Sequence, residues 1–143
     1  MKVSDAMTAE VQLCTPDDTL KDAAQAMAAL GVGLPTLSPI QPLVGMISDR
    51  DIAIRGVAMG RGPDSRVGDV MTADVKYCFE DQDLEEVTAN MGEIQVRRLP
   101  VLSRDKRLVG IIALGDIAQV QADDGTGQAL GQISRPGGLH VQE

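Results

Sequence analysis

The chain has 143 residues, enough for one ordinary domain or two very small ones, and a formal net charge of −8. Hydrophobic residues make up 43%, yet there is no Trp, one Tyr (Tyr77) and one Phe (Phe79). The core is therefore aliphatic, and base stacking on aromatic side chains has almost nothing to work with. An acidic surface repels a phosphate backbone and argues against general nucleic-acid binding. Met1 to Asp5 form no apolar leader and no apolar run approaches membrane-spanning length, so the expectation is a cytoplasmic protein with no membrane association. In a reducing compartment Cys14 and Cys78 read as free, buried thiols.

In chain order, Glu10 to Cys14 alternate toward a short strand. Thr15, Pro16, Asp17 and Asp18 then signal a helix start, with acids at the positive end of the helix dipole. Leu20, Ala23, Ala24, Met27 and Leu30 recur at helical spacing, and Gly31 and Gly33 end that helix. Leu34–Leu37 reads as a strand, Ser38 to Pro42 as a turn, and Leu43 to Ser48 as a continuous apolar, buried strand. A second helix begins near Asp49, and Gly60 to Ser65 form a linker rich in breakers.

The second half repeats the order: a strand over Asp74 to Cys78, a helical stripe of Leu84, Val87, Thr88, Met91 and Ile94, strands at Leu99–Leu102 and Leu108–Ala113, and a helix from near Leu114. From Asp123 onward, five glycines and Pro136 leave room for little more than a short helix in a flexible tail. His140, the sole histidine, lies in this tail and cannot by itself make a catalytic triad or a metal site.

The two halves are copies. Val3-Ser4-Asp5-Ala6-Met7-Thr8-Ala9 stands beside Val67-Gly68-Asp69-Val70-Met71-Thr72-Ala73 at an offset of 64 residues (67 − 3). Asp17 meets Asp81, Met27 meets Met91 and Val32 meets Val96 at the same offset. One residue is then missing from copy one. At an offset of 65, Pro35 meets Pro100, Leu43-Val44-Gly45 meets Leu108-Val109-Gly110, and Asp51-Ile52-Ala53 meets Asp116-Ile117-Ala118. A repeat this long is one supersecondary unit used twice. The fold class is α+β: two tandem βαββα repeats, the first at 1–62, the second at 63–122, and a tail at 123–143.

The series Asp69-Val70-Met71-Thr72, strand, helix, Arg97-Arg98-Leu99-Pro100-Val101, Leu108-Val109-Gly110-Ile111-Ile112 and Asp116-Ile117 resembles the cystathionine-β-synthase (CBS) domain. Two such units over roughly residues 3 to 122 are similar to a CBS pair, or Bateman module. The resemblance implies pseudo-two-fold repeats packed through their sheets, and a regulatory module rather than an enzyme. It implies an adenine nucleotide ligand (AMP, ADP, ATP, S-adenosylmethionine or NAD) in the clefts between repeats, no required cofactor, a homodimer, and an unidentified protein partner acted on in trans.

The resemblance also assigns residues. In the family, the last strand of a repeat ends in a hydroxyl residue, and an Asp three positions later accepts hydrogen bonds from vicinal ribose hydroxyls. Copy one has Ser48 and Asp51; copy two has Asp116, with Ala113 in the hydroxyl position. Asp is also common at helix starts for backbone reasons alone, and Asp49 reads as such a cap. Arg97 and Arg98 would face ligand phosphates, for which the planar guanidinium fork is suited, or else form a solvated pair. Copy one lacks a basic residue at Val32-Gly33-Leu34-Pro35, so Arg50 is the substitute candidate. The family rule is crosswise. Asp116 would face Met7 and Val32, and Asp51 would face Met71 and Val96, although both methionines also serve as flexible core filler.

Three function classes follow. The first is the nucleotide sensor. The second is a dimeric scaffold whose sites have decayed, as Ala113 and the shortened Val32–Pro35 segment suggest. The third, an enzyme, has no support: the chain shows no nucleophile–base pair, no metal-ligand cluster and no P-loop glycine run.

Overall fold

A computed structural model describes residues 1–9, 11–30, 34–37, 43–121 and 124–134. The chain divides into two compact units, one of Val11–Val75 and one of Met1–Glu10 with Lys76–Glu143. They are called here the copy-one unit and the copy-two unit. Residues 1–9 thus pack with the second repeat.

In the copy-one unit, α2 (Leu20–Leu30) is followed by β1 (Leu34–Leu37) and β2 (Leu43–Ile47), which pair antiparallel with Leu34 opposite Ile47. A helical run then passes from α3 (Asp49–Asp51) through a π segment (Ile52–Gly56) into a 3-10 turn (Val57–Met59). Gly60 ends it at φ 79, a left-handed conformation that glycine adopts without a side-chain penalty. Leu20, Ala23 and Met27 of the expected stripe are buried with Cys14, Ile47, Val67 and Val70. The other expected member with a described environment, Ala24, is exposed. The linker is fastened to α2. Leu20 and Lys21 donate N–H bonds to Ser65 and Pro63 carbonyls at 2.9 and 3.0 Å, and Arg66 pairs with Asp17.

The copy-two unit opens with a single helical turn, α1 (Val3–Ala6), whose Val3 is buried. Its three-stranded sheet has the order β3-β4-β5, with β3 (Cys78–Phe79) parallel and β5 (Leu108–Ala113) antiparallel to the central β4 (Arg98–Leu102). Leu84, Val87, Thr88 and Met91 of α4 (Leu84–Ile94) are buried, as the stripe implies, and its last member, Ile94, is half-buried. Helix α5 (Leu114–Val120) adds Leu114 and Ile117 to the same core. The mixed helix and sheet content agrees with the α+β expectation.

One expectation is corrected. Of the strand expected over Glu10 to Cys14, Glu10 lies outside the described residues and the rest holds a single bridge at Cys14, while the strand expected over Asp74 to Cys78 is reduced to the two residues of β3. In copy two the ladder pairs Cys78 and Phe79 with Val101 and Leu102, and Pro100, just before them, has no N–H with which to extend it. Arg104 anchors this corner, lying 4.2 Å over the Phe79 ring and gripping both Asp81 carboxylate oxygens from Nε at 2.9 Å. The glycine-rich stretch after Asp123 holds the short helix for which its sequence leaves room. Helix α6 (Asp124–Ile133) packs on α4, burying Ala129 and Ile133, and the Gln95 side chain donates to the Gln132 carbonyl at 2.8 Å. His140 lies outside the described residues.

Candidate ligand site at the strand-to-helix junctions

Each unit turns from its last strand into a helix at the expected Asp. In copy one, Ser48 takes extended backbone angles (φ −114, ψ 164) and caps the helix. Its hydroxyl accepts from the Asp51 N–H at 3.1 Å, and the Asp51 carboxylate accepts from the Ser48 N–H at 3.0 Å. This is a reciprocal capping box. The cap is therefore Ser48 and not Asp49, whose carboxylate turns instead to the Arg50 N–H at 2.8 Å. Arg50 is half-buried beside it.

A residue that the sequence reading missed completes this junction. The Thr72 hydroxyl donates to the Asp51 carboxylate at 3.3 and 3.4 Å. Thr72 is placed by the crossing of the Met-Thr segment over β2, where Met46 and Thr72 exchange N–H bonds of 2.9 and 2.8 Å. Met71, next to it, packs over Gly45, where a Cβ would meet the Met71 sulfur at 2.7 Å and the Thr72 carbonyl at 2.8 Å. Arg55 donates from Nη1 to the Met71 carbonyl at 3.1 Å. The available signal was the repeat itself, since Met-Thr stands in both copies outside any regular element.

Copy two builds the same crossing. Thr8 and Ile111 exchange N–H bonds of 2.8 and 2.9 Å, and a Cβ on Gly110 would meet the Thr8 carbonyl at 2.7 Å and the Met7 sulfur at 2.9 Å. The Asp116 carboxylate accepts from the Ala113 N–H at 3.0 Å, but Ala113 has no hydroxyl with which to return the bond. Arg98 stands opposite Ala113 in the β4–β5 ladder, and the Arg97 carbonyl accepts from the Leu114 N–H at 2.9 Å. Both arginine side chains are exposed. Arg97, Arg98 and Asp116 thus stand where β5 turns into α5, and Ser48 and Asp51 where β2 turns into α3, while Met7 and Met71 lie over the mid-strand glycines Gly110 and Gly45. Val96 is half-buried against the copy-two core, and Val32 lies outside the described residues.

Burial pushes the Cys78 thiol up to about 12, so it stays protonated and unreactive near neutral pH. Among the described residues, no three His, Cys, Asp or Glu side chains cluster to hold a metal ion, and no helix is long and apolar enough to cross a membrane.

The CBS domain family matches residues 3–56 and 67–123, one match per repeat. The chain belongs to the CBS domain family. The CBS domain-containing protein YhcV of Bacillus subtilis is 38% identical over 133 residues, covering 92% of this chain and 94% of YhcV. The crystal structure of Hypoxic Response Protein I with two coordinated zinc ions superposes with a TM-score of 0.75 at 36% identity, over 83% of this chain and 98% of that one. The crystal structure of CBSX2 in complex with AMP gives a TM-score of 0.74 at 27% identity, over 85% and 96%. The architecture is that of a tandem CBS pair.

Proposed function

We propose that this CBS pair is a regulatory module that senses an adenine nucleotide derivative and signals to a partner protein in trans. AMP, ATP, S-adenosylmethionine and NAD are the candidate ligands. The observation that carries the reading is the pair of matched junctions, each offering a half-buried Asp carboxylate (Asp51, Asp116) that accepts the N–H of the residue three before it, on a strand crossed by a Met-Thr segment. The Asp116 carboxylate accepts one backbone N–H and the Asp51 carboxylate accepts one backbone N–H and the Thr72 hydroxyl, so each keeps acceptor capacity for vicinal hydroxyls. In copy two, Arg97 and Arg98 supply forked donors for phosphate next to that carboxylate. The AMP complex of CBSX2, a neighbour at 27% identity, supports the ligand class. Ser48, Arg50, Met7, Met71, Val32 and Val96 complete the proposed binding set. A ligand acts here by population shift and moves the equilibrium only by its difference in affinity for two states. The protein works as a cytoplasmic homodimer in this reading. It performs no catalysis and needs no cofactor.

A scaffold with decayed sites is the second reading, and the absent hydroxyl at Ala113 favours it. Native mass spectrometry of freshly purified protein separates the two. A co-purified nucleotide mass, or one acquired on adding any of the four candidates, supports the sensor. Folded protein that acquires none of them at millimolar ligand contradicts it.

A further inference from the structure

The two junctions differ in the same direction at three matched positions. Ser48 and Arg55 correspond to Ala113 and Val120 at the offset of 65 (113 − 48, 120 − 55), and Thr72 corresponds to Thr8 at the offset of 64 (72 − 8). The Ser48 hydroxyl caps its junction, and Ala113 has none to offer. The Arg55 guanidinium holds the Met71 carbonyl at 3.1 Å, and Val120 carries no donor. Thr72 is half-buried with its hydroxyl on Asp51, whereas Thr8 is exposed. Among the described residues, the Asp116 carboxylate accepts only the Ala113 N–H. Side chains tie the copy-one junction three times over and leave the copy-two junction open.

The place that the Thr72 hydroxyl takes decides what this means for a ligand. Its oxygen stands 3.3 Å from Oδ1 and 3.4 Å from Oδ2 of Asp51, nearly midway between the two acceptors, and the Ser48 N–H takes a further site on Oδ2 at 3.0 Å. A vicinal diol donates one hydroxyl to each carboxylate oxygen and so comes to that same place. Lone pairs remain for an incoming hydroxyl, but a grip on both oxygens requires Thr72 to yield. It can do so by turning to another staggered rotamer. The crossing survives that turn, because Thr72 is held on Met46 by its backbone N–H and carbonyl.

We propose, resting on the nucleotide reading of these junctions, that Thr72 is a built-in competitor for Asp51. Its hydroxyl holds the diol's place on the carboxylate until a ligand displaces it. Binding that must first break an internal contact is weakened by the fraction of molecules in which that contact is open. Asp116 meets a diol with no internal hydroxyl to displace, and with Arg97 and Arg98 beside it. The copy-two junction therefore fills first, and the copy-one junction fills at higher ligand concentration. Thr72 stands three residues before Val75, the last residue of the copy-one unit, so its release acts on the stretch of chain that leads into the second unit.

Isothermal titration of the full chain with AMP, ATP, S-adenosylmethionine and NAD tests it. Asp116→Asn leaves the copy-one junction as the remaining diol site, and Thr72→Val or Thr72→Ser is then added to it, with circular dichroism confirming that each variant is folded. Valine keeps the branched shape and removes the competing hydroxyl, so the Kd in the Asp116→Asn background falls about fivefold for a ligand that wild type binds. Serine keeps the hydroxyl and leaves the Kd within about twofold. A merely structural role for Thr72 would weaken binding and never tighten it. A Kd unchanged or raised by Thr72→Val overturns the proposal, as does an Asp116→Asn protein that takes no ligand with or without Thr72→Val. In both cases a wild type that still binds keeps the nucleotide reading. A folded wild type that takes none of the four ligands at millimolar concentration overturns that reading and the proposal together.

Discussion

The Thr72 hydroxyl donates to the Asp51 carboxylate at 3.3 Å to Oδ1 and 3.4 Å to Oδ2, while the Ser48 N–H reaches Oδ2 from the other side at 3.0 Å. The equivalent carboxylate, Asp116, accepts the Ala113 N–H, and no cap hydroxyl answers it. The two junctions share a backbone path and differ in how firmly side chains tie it down.

That difference predicts opposite effects of exchanging the cap residues. Ser48→Ala removes a helix cap and costs about 1 kcal/mol, whereas Ala113→Ser supplies one and stabilises by roughly 0.5 to 1 kcal/mol. Urea unfolding reads both as shifts of midpoint at constant slope.

Gly45 and Gly110 are the strand positions at which the Met-Thr segments cross. A Cβ at either would come within 3.0 Å of a Thr carbonyl oxygen, backbone that has no rotamer by which to yield. Gly45→Ala and Gly110→Ala are each expected to lower stability by about 1 to 3 kcal/mol. A thermal melt with an unchanged midpoint for either would show that the crossing is not tight.

Helix α6 gives a contrast of the same kind. Nothing lies within 4 Å of a Cβ built on Gly127, so Gly127→Ala is expected to stabilise by up to about 1 kcal/mol through helix propensity alone. Gly92→Ala meets Ala129 and Gln132 and loosens α6, which hydrogen exchange reports as faster exchange across 124–134.

Cys78 sets a pH dependence. Its folded pKa is pushed up to about 12 from the ordinary 9.0, so the unfolded chain releases the thiol proton first. Stability from this group is level below about pH 9 and falls as pH rises toward 12. At neutral pH the folded protein is expected to leave Cys78 unlabelled by a thiol reagent, and the urea-unfolded chain to react at once. Prompt labelling in the folded state would contradict its burial.

Much of this was legible in the sequence because periodicity reports burial directly. The stripe Leu84, Val87, Thr88, Met91 marks α4, and the apolar run at Leu108–Ala113 marks β5. The first strands were not legible, since alternation over Asp74 to Cys78 does not reveal that the ladder has partners only for Cys78 and Phe79. A short helix after Asp123 was legible, but not its seat on α4, which rests on a close approach at Gly92 that no local pattern reports. The resemblance singled out Asp51 and Asp116, and both stand at strand-to-helix junctions, as the repeat implies. Thr72 was not legible, because its hydroxyl reaches Asp51 only through a tertiary crossing with Met46.

The central claim is that Asp51 and Asp116 hold the ribose of an adenine nucleotide. Isothermal titration with AMP, ATP, S-adenosylmethionine and NAD on wild type, Asp51→Asn and Asp116→Asn addresses it most directly. The account predicts saturable binding of at least one of the four ligands to wild type, weakened about tenfold or more at one site by each substitution while the fold is retained. Absence of binding of all four at millimolar ligand to the folded wild type, or unchanged affinity in both variants, would contradict it.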